Sequence, residues 1–226
     1  MLAPQRIAPG VYRIAILLAN AYVVEIDGGV ALIDCLMPGD TSLMLNSVKT
    51  VVGDAAALKA IWLTHGDIDH VGSLAELKER TGVPVAAHPL VAPFARCETI
   101  RQFRSPLMQA VSRRMFPTGP LRPSQVDRFF EIGETVSGWQ IIDTPGHAPG
   151  HIAFYHGDKR ILIGGDTMMN LGGLRPSFGP FTDDPALNAA SIRQLAQLDV
   201  AVAGFGHGAA ITQQAGEKIR RVARNV

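Results

Sequence analysis

A seven-residue stretch, THGDIDH at residues 64–70, concentrates side chains that can bind a metal ion or move a proton. It follows the apolar run AIWL, which predicts a strand, and contains His65, Asp67, Asp69 and His70. Imidazole nitrogens and carboxylate oxygens together suit zinc, iron or manganese. A solvated turn with capping aspartates would have the same composition, so this stretch alone leaves both interpretations open.

Further candidate ligands occur where other predicted strands end. They are Asp34 after VALI, His147 in DTPGHAPGH, Asp166 in ILIGGDT and His207 in AGFGHG. Strand ends at one edge of a sandwich bring together residues that are distant in sequence, and glycines there permit tight turns and close backbone approach. We therefore expect these residues and the THGDIDH loop to meet at one edge of the fold.

The apolar pattern predicts strand meanders with interspersed helices in both halves of the chain. Ser73 and Glu76 have the spacing of a capping box, and Asp184 before Pro185 predicts a helix N-cap. The predicted strands cover 14–18, 22–26, 30–33, 60–63, 83–87, 128–132, 139–143, 152–155, 160–163 and 200–205, and helices are predicted at about 41–52, from 73, at 185–198 and at 212–224. This order predicts an α/β fold, a four-layer αββα sandwich.

Length and charge limit the classes of function. A chain of 226 residues can form one large domain that buries roughly 70% of the surface exposed by the unfolded chain. The formal net charge of +1 predicts no nucleic-acid partner. The apolar run at 14–19 is far shorter than the ~20 residues of a membrane span, so no membrane association is expected. Two widely separated cysteines, Cys35 and Cys97, predict free thiols in a reducing compartment, with the cytoplasm as the expected location.

Several motifs match one family in that family's own order. They are LIDC, the THxxxDH loop, TPGHxPGH, GGD and a closing GHG, and they extend from about residue 11 to residue 208. Such an ordered set is specific, whereas each motif alone is weak. On these residues the chain resembles the metallo-β-lactamase fold superfamily of metallohydrolases, in particular its glyoxalase II and lactonase-like members. The resemblance implies one αββα domain over residues 1–226, with a helical or irregular insertion at about 93–126.

The resemblance also implies a centre of two divalent metal ions. One ion would be held by His65, Asp67 and His147, the other by Asp69, His70 and His207, and Asp166 would bridge them. Zinc is the first expectation, and manganese and iron are the alternatives. The expected partner is a small-molecule substrate, and a homodimer is compatible with the commonest symmetry of soluble oligomers.

The implied activity is hydrolysis, in which a hydroxide bridging the two ions attacks a small ester, lactone, thioester or related acyl substrate. Asp69 would also take the proton released as a product leaves, which makes it the candidate catalytic side chain. An oxidoreductase with one iron, similar to the persulfide dioxygenases of this fold, is the alternative. A β-lactamase is less expected, because antibiotic-degrading members are normally exported and the sequence shows no export signal. A nuclease is also disfavoured, because such relatives carry a large additional domain.

Asp67 departs from the family's usual loop, which is His-x-His-x-Asp-His. Two divalent ions carry about +4, while the three aspartates and a bridging hydroxide carry about −4, so the centre would be neutral where the usual loop leaves roughly +1. A more neutral centre predicts a weaker Lewis acid and a preference shifted toward manganese or iron. Alternatively, Asp67 bonds to a backbone group or an arginine and leaves its metal short of a ligand.

Other residues have predicted supporting roles. Asp34 would orient the metal loop through hydrogen bonds, and His151 would form hydrogen bonds rather than bind metal. His88 and His156 would be structural or surface histidines. The segment 93–126 would present either a solvated face or an anion-attracting lid, with Arg96, Arg101, Arg104, Arg113, Arg114, Arg122, Phe94, Phe103, Met108, Met115 and Phe116. The loop 169–181 would lean over a pocket, where Arg175 or Phe178 would touch substrate.

Overall fold

The computed structural model describes residues 3–16, 19–102, 106, 109–110, 114 and 121–226. Its strands form two large sheets and a hairpin, and helices cover the outer faces of both sheets. The predictions for six residues of segment 93–126 lie outside the described residues: Phe103, Arg104, Met108, Arg113, Met115 and Phe116.

The first sheet contains seven strands among the described residues. In sheet order they are β1 (Gln5–Ala8), β2 (Val11–Ile16), β3 (Ala19–Ile26), β4 (Gly29–Ile33), β5 (Leu58–Trp62), β6 (Val85–Ala87) and β7 (Arg128–Phe129). Strands β1 to β4 pair antiparallel, and β4 to β7 pair parallel.

The second half supplies the remaining described strands. They are β8 (Thr135–Val136), β9 (Trp139–Asp143), β10 (Ile152–His156), β11 (Ile161–Ile163), β12 (Met168–Asn170), β13 (Leu174–Pro176) and β14 (Val202–Gly204). The second sheet has the order β14-β11-β10-β9-β8, and β12 and β13 form a hairpin that the sequence analysis assigned to a loop.

Six α-helices are described. They are α1 (Thr41–Val52), α2 (Ile68–Val71), α3 (Leu74–Thr81), α4 (Ala92–Ala95), α5 (Pro185–Leu195) and α6 (Ala215–Ala223), with single 3-10 turns at Ala55–Ala57, Pro89–Val91 and Gly179–Phe181. Helix α5 begins as predicted, because the Asp184 side chain accepts hydrogen bonds from the N–H groups of Ala186 and Leu187.

Alternation of side chains along the strands explains how the layers pack. In β3, Val23 belongs to the apolar cluster that includes Met44 of α1, whereas Tyr22 faces the second sheet. In β10, Phe154 faces the first sheet, whereas Ala153 packs with the outer helices α5 and α6. Three apolar layers therefore separate four layers of secondary structure, which confirms the predicted αββα sandwich.

Two local predictions are wrong. The segment 128–132 was predicted as one strand but forms only the two-residue strand β7, which pairs with β6 at the edge of the first sheet. Ser73 makes no capping bond at α3: its hydroxyl donates to the Met37 carbonyl at 2.6 Å and accepts from Asp40 N–H at 3.0 Å. The expected cap is replaced by tertiary contacts that tie α3 to the start of α1.

The helices and the two cysteines of the described residues bear on membrane insertion and on disulfide formation. None of its helices has the length and hydropathy needed to cross a membrane. Cys35 is buried, Cys97 is exposed, and both of these described cysteines are free, as predicted.

Candidate metal centre

The predicted ligands lie on loops that leave one edge of the two sheets. The THGDIDH loop follows β5 and leads into α2, which carries Asp69 and His70. His147 lies between β9 and β10, Asp166 in the turn after β11, and His207 in the loop after β14. The fold therefore brings together residues that are up to 142 positions apart, since 207 − 65 = 142.

The first trio, defined as His65, Asp67 and His147, has the dimensions of a metal site. Asp67 Oδ2 lies 3.6 Å from His65 Nε2 and 3.5 Å from His147 Nε2. Bonds of about 2.0–2.1 Å to a tetrahedral zinc ion would place two ligand atoms roughly 3.4 Å apart. The observed separations agree with that spacing.

The second trio, defined as Asp69, His70 and His207, lies beside the first. Asp69 Oδ2 is 3.8 Å from His70 Nε2 and 3.5 Å from His207 Nε2. Asp166 contacts both trios, because its Oδ2 is 3.5 Å from His147 Nε2 and 2.8 Å from His207 Nε2. Its Oδ1 is also 3.5 Å from His70 Nε2.

Several atoms that point into this space lack a partner. Among the described residues, Nε2 of His65, His70 and His147 and Oδ1 of Asp166 are buried without a hydrogen bond. A buried polar atom left unpaired costs about 1–3 kcal/mol, so native proteins rarely leave several together. Convergent imidazole and carboxylate atoms of this kind are the donor set of a zinc, iron or manganese site, and the residues present therefore fit such ions.

Asp34 supports the metal loop as predicted. Its Oδ1 accepts from Thr64 N–H at 2.8 Å, and its Oδ2 contacts Thr64 Oγ1 and His70 Nδ1, each at 2.8 Å. The backbone of Asp34 adopts a φ of 65°, a left-handed conformation that non-glycine residues seldom adopt. These bonds orient His70 with Nε2 toward the second trio.

The histidines outside the trios also have the predicted structural roles. His151 Nε2 accepts from Asp166 N–H at 2.8 Å and its Nδ1 contacts Thr144 Oγ1 at 2.8 Å, so both ring nitrogens are occupied. His88 Nδ1 accepts from a backbone N–H at 3.2 Å. The ring of His156 is buried against a tryptophan, with 5.3 Å between the ring centroids.

The carboxylates create a strongly negative environment. Burial alone lowers a histidine pKa, but Asp34, Asp166 and Asp69 outweigh it and hold the pKa of His70 well above its usual range. Burial likewise acts to lower the pKa of His207, but Asp166 and Asp69 raise it to about 9. Protons and metal cations compete for such ligands, so a site that attracts protons this strongly also attracts a cation.

Asp67 bonds to an arginine, which was one of the alternatives predicted from the sequence. Both of its oxygens accept from Nη1 of Arg101, at 2.6 and 2.7 Å. Burial alone would raise the pKa of Asp67, but Arg101, His147 and His65 outweigh it and hold the pKa well below its usual range. Asp67 is therefore a carboxylate that faces the two histidines on one side and a cation on the other.

A glycine is needed where the last loop passes the centre. A Cβ atom at Gly206 would lie 1.9 Å from Asp166 Oδ1 and 2.7 Å from His70 Cε1. Both distances are far below van der Waals contact, so any side chain here would displace the two predicted ligands. The glycine in AGFGHG thus serves the close backbone approach that the sequence predicted.

Apolar residues lie next to the ligand loops. Phe94 packs against Gly66, where an added Cβ would lie 2.6 Å from Phe94 Cβ. Leu171 follows Asn170, whose N–H donates to the His207 carbonyl, and it is 41% exposed. Phe178 is 53% exposed, while the preceding Ser177 contacts His147. Apolar side chains therefore follow directly on residues that contact the ligand loops, and two of them, Leu171 and Phe178, are exposed.

Three described arginines of segment 93–126 have ion pairs: Arg96, Arg101 and Arg122. These three do not form an anion-attracting lid. Arg96 pairs with Glu98 at 2.7 Å and Arg122 pairs with Glu79 at 2.8 Å, both at the exposed surface. Arg101 points inward and is neutralised by carboxylates. Because these positive charges already have negative partners, the solvated-face interpretation holds for Arg96 and Arg122, and neither interpretation describes Arg101.

Sequence reasoning missed three contributors. Thr64 Oγ1 contacts His65 Nδ1 at 2.9 Å, Ser177 Oγ contacts His147 Nδ1 at 3.0 Å, and Arg101 binds Asp67. The hydroxyl of Thr64 stands beside a predicted ligand in the sequence, which was an available signal. Ser177 lies far from His147 in the sequence and gave no signal. An arginine contact of Asp67 was one of the alternatives, but the sequence did not identify Arg101 as that arginine.

Comparison with known proteins identifies the family of the chain. The sequence profile of the Metallo-beta-lactamase superfamily matches residues 16–207. The chain is 31% identical to the probable metallo-hydrolase YflN of Bacillus subtilis (strain 168), over 91% of this chain and 86% of that protein. It is 28% identical to the hydroxyacylglutathione hydrolase GloC of Haemophilus influenzae, over 69% of this chain and 71% of that protein.

Solved structures share the fold. TTHA1623 in a di-iron-bound form has a TM-score of 0.73 and 29% identity, with 100% of both chains covered. BJP-1, a subclass B3 metallo-beta-lactamase of Bradyrhizobium japonicum, has a TM-score of 0.72 over 99% of this chain and 90% of that chain, and at 19% identity it shows the fold alone. The family expected from the motifs is thus confirmed: the chain belongs to the metallo-beta-lactamase superfamily.

Proposed function

We propose that this protein is a hydrolase that holds two divalent metal ions and acts on a small ester, lactone, thioester or related acyl compound. The observation that carries the proposal is the pair of adjacent trios, each of metal-site size, with Asp166 in contact with both. Zinc is the first expectation, with manganese or iron as alternatives. When bound, such ions lower the pKa of water and polarise the oxygen of the scissile group.

The residues of the chain have distinct roles in this proposal. The first trio holds one ion, the second trio holds the other, and Asp166 reaches both. Asp69 lies on the more open side, with 18% of its side chain exposed, so its Oδ2 is placed to take the proton released as product leaves. The complete second trio favours two ions over the single iron of the alternative oxidoreductase.

The proposed substrate class is supported by the apolar residues next to the ligand loops. Phe94, Leu171 and Phe178 offer apolar surface, and the arginines of segment 93–126 with assigned contacts are already paired. An acyl group fits such a surface better than a phosphoester does. The relative GloC is a hydroxyacylglutathione hydrolase, and the thioester class agrees with that name. We further propose that residues 1–226 form a single domain and that segment 93–126 is an insertion in it.

The test is a substrate panel with metal-loaded protein. We expect turnover of at least one class among acyl thioesters, lactones and esters, and its loss in the His207→Ala variant. The Arg122→Gln variant alters only an exposed ion pair and should leave turnover unchanged. No turnover of any acyl compound would contradict the proposal. Oxygen uptake with one iron per chain would instead support the oxidoreductase, and nitrocefin turnover would support a β-lactamase.

A further inference from the structure

A buried arginine stands behind the first trio. The side chain of Arg101 is 7% exposed, and its Nη1 donates to both oxygens of Asp67. We propose that Arg101 is a positioning residue of the metal centre, which holds Asp67 as a ligand of the first ion and offsets the negative charge that Asp67 adds. The inference rests on the proposed function, because it presupposes an ion in the first trio.

The remaining donors of Arg101 connect separate parts of the site. Nε donates to Asp183 Oδ1 at 3.2 Å, and Nη2 donates to the carbonyl oxygens of Phe181, at 2.9 Å, and of His147. Asp183 N–H also donates to the His147 carbonyl, at 3.1 Å. One planar cation therefore joins the loops that carry Asp67 and His147, and it fixes these two ligands relative to each other.

The arginine contact does not remove Asp67 from the metal space. A carboxylate oxygen has two lone pairs, so Oδ2 can accept from Arg101 and still face a cation. The same Oδ2 lies within 3.6 Å of His65 Nε2 and His147 Nε2, and both nitrogens lack a hydrogen-bond partner among the described residues. The carboxylate is thus held between a fixed cation and the two ligand atoms.

Arg101 also changes the charge count that was made from the sequence. That count gave a neutral centre, and the guanidinium returns it to about +1, the value for a histidine in place of Asp67. Asp183 is 33% exposed, so solvent screens its charge more than that of the buried Arg101. Arg101 therefore offsets part of the negative charge that Asp67 adds, which weakens the predicted shift toward manganese or iron.

Metal affinity, rather than turnover, tests the inference. Metal-free protein is titrated with Zn²⁺ in competition with a fluorescent chelator, for the wild type, Arg101→Gln, Asp67→His and the double variant. We expect Arg101→Gln to weaken the binding of one ion about tenfold or more, as loss of an outer partner of a ligand commonly does. In the Asp67→His background we expect a clearly smaller loss, because there Arg101 acts only through the His147 loop. The matched control is Arg96→Gln, which removes a surface ion pair of the same segment and should leave both affinities unchanged.

Two results would overturn the inference. Unchanged zinc affinity in Arg101→Gln would mean that Arg101 does not position Asp67. Tighter zinc binding would mean that Arg101 withholds Asp67 from the ion. An equal loss in both backgrounds would mean that Arg101 only supports the fold. If Arg101→Gln does not fold, Arg101→Lys keeps the charge without the multiple bonds. For Arg101→Lys we again expect a tenfold weaker zinc affinity that depends on the presence of Asp67. A zinc affinity equal to that of the wild type would refute the inference.

Failure of the proposed function has a different signature. Wild-type protein that binds two zinc ions and turns over no acyl compound would refute that function. The Asp67–Arg101 dependence of zinc affinity would be unaffected, because it is measured without any substrate.

Discussion

The two trios of the metal centre are enclosed in different ways. The first is backed by Arg101; its histidines, His65 and His147, are at most 2% exposed, and its carboxylate, Asp67, is 15% exposed. In the second, the side chains of Asp69 and His207 are each 18% exposed. The first half of the centre is therefore more enclosed and has an arginine beside its carboxylate, whereas the second half is more open toward solvent.

This difference assigns separate tasks to the two halves of the centre. Buried ligands that a fixed arginine holds in place need little reorganisation when the metal ion binds. Such a site therefore favours tight retention of its ion. An open site admits water and substrate, and it lets a carboxylate exchange protons with solvent. The proposed hydrolase needs both properties, so substitutions in each half should produce distinguishable defects.

The largest effect is expected from Asp166→Ala, because Asp166 contacts histidines of both trios. Substitution of outer partners of metal ligands commonly costs 10–100-fold, so loss of a shared ligand should lower acyl turnover by more than about 100-fold. Elemental analysis should show that both ions are depleted. Full occupancy of both sites in this variant would refute a shared role for Asp166.

A smaller and unequal effect is expected from Asp34→Asn. Asp34 contacts His70 directly and reaches His65 only through Thr64, so zinc affinity should fall more in the second trio, by about 10–100-fold, than in the first. The matched variant is Ser177→Ala. The Ser177 hydroxyl contacts His147, so its loss should affect the first trio instead. Chelator titration of both variants separates the two ions. If both variants weaken the same ion more than the other, the division into two trios is wrong.

A modest effect is expected at the exposed apolar residues next to the ligand loops. Phe178 adjoins the first trio through Ser177, and Leu171 adjoins the second through Asn170. Loss of apolar contact with an acyl chain should raise KM roughly three- to tenfold with kcat unchanged. Steady-state kinetics of Phe178→Ala and Leu171→Ala will show which trio the acyl chain passes. Unchanged KM in both variants would exclude these side chains from substrate binding.

The smallest effect is expected at a histidine outside both trios. Burial, followed by Lys159, lowers the pKa of His156. The unfolded chain therefore binds a proton near pH 6.5 that the folded chain does not, so this residue reduces stability as the pH falls below about 6.5. Urea unfolding at pH 7, 6 and 5 should show a weaker pH dependence for His156→Gln than for the wild type. An identical dependence would contradict this assignment.

The ligands and their supporting partners differ in what the sequence could predict. The meeting of His65, His147 and His207 at one edge was predictable, because strand periodicity and the order of glycine-flanked ligands define both the fold and the loops. The contact between Asp67 and Arg101 was not predictable, because Arg101 lies 34 residues away in a segment without regular periodicity. Ser73 shows the same limit, since its local capping pattern was overridden by tertiary contacts with Met37.

The central claim is that the two trios hold two ions, and elemental analysis of the purified protein tests it most directly. Protein expressed without added metal, and again with zinc, manganese or iron, would be analysed by mass spectrometry. The account predicts about two ions per chain, reduced to about one in the Asp34→Asn variant. One ion per chain or none in the wild type, under every condition, would contradict the account.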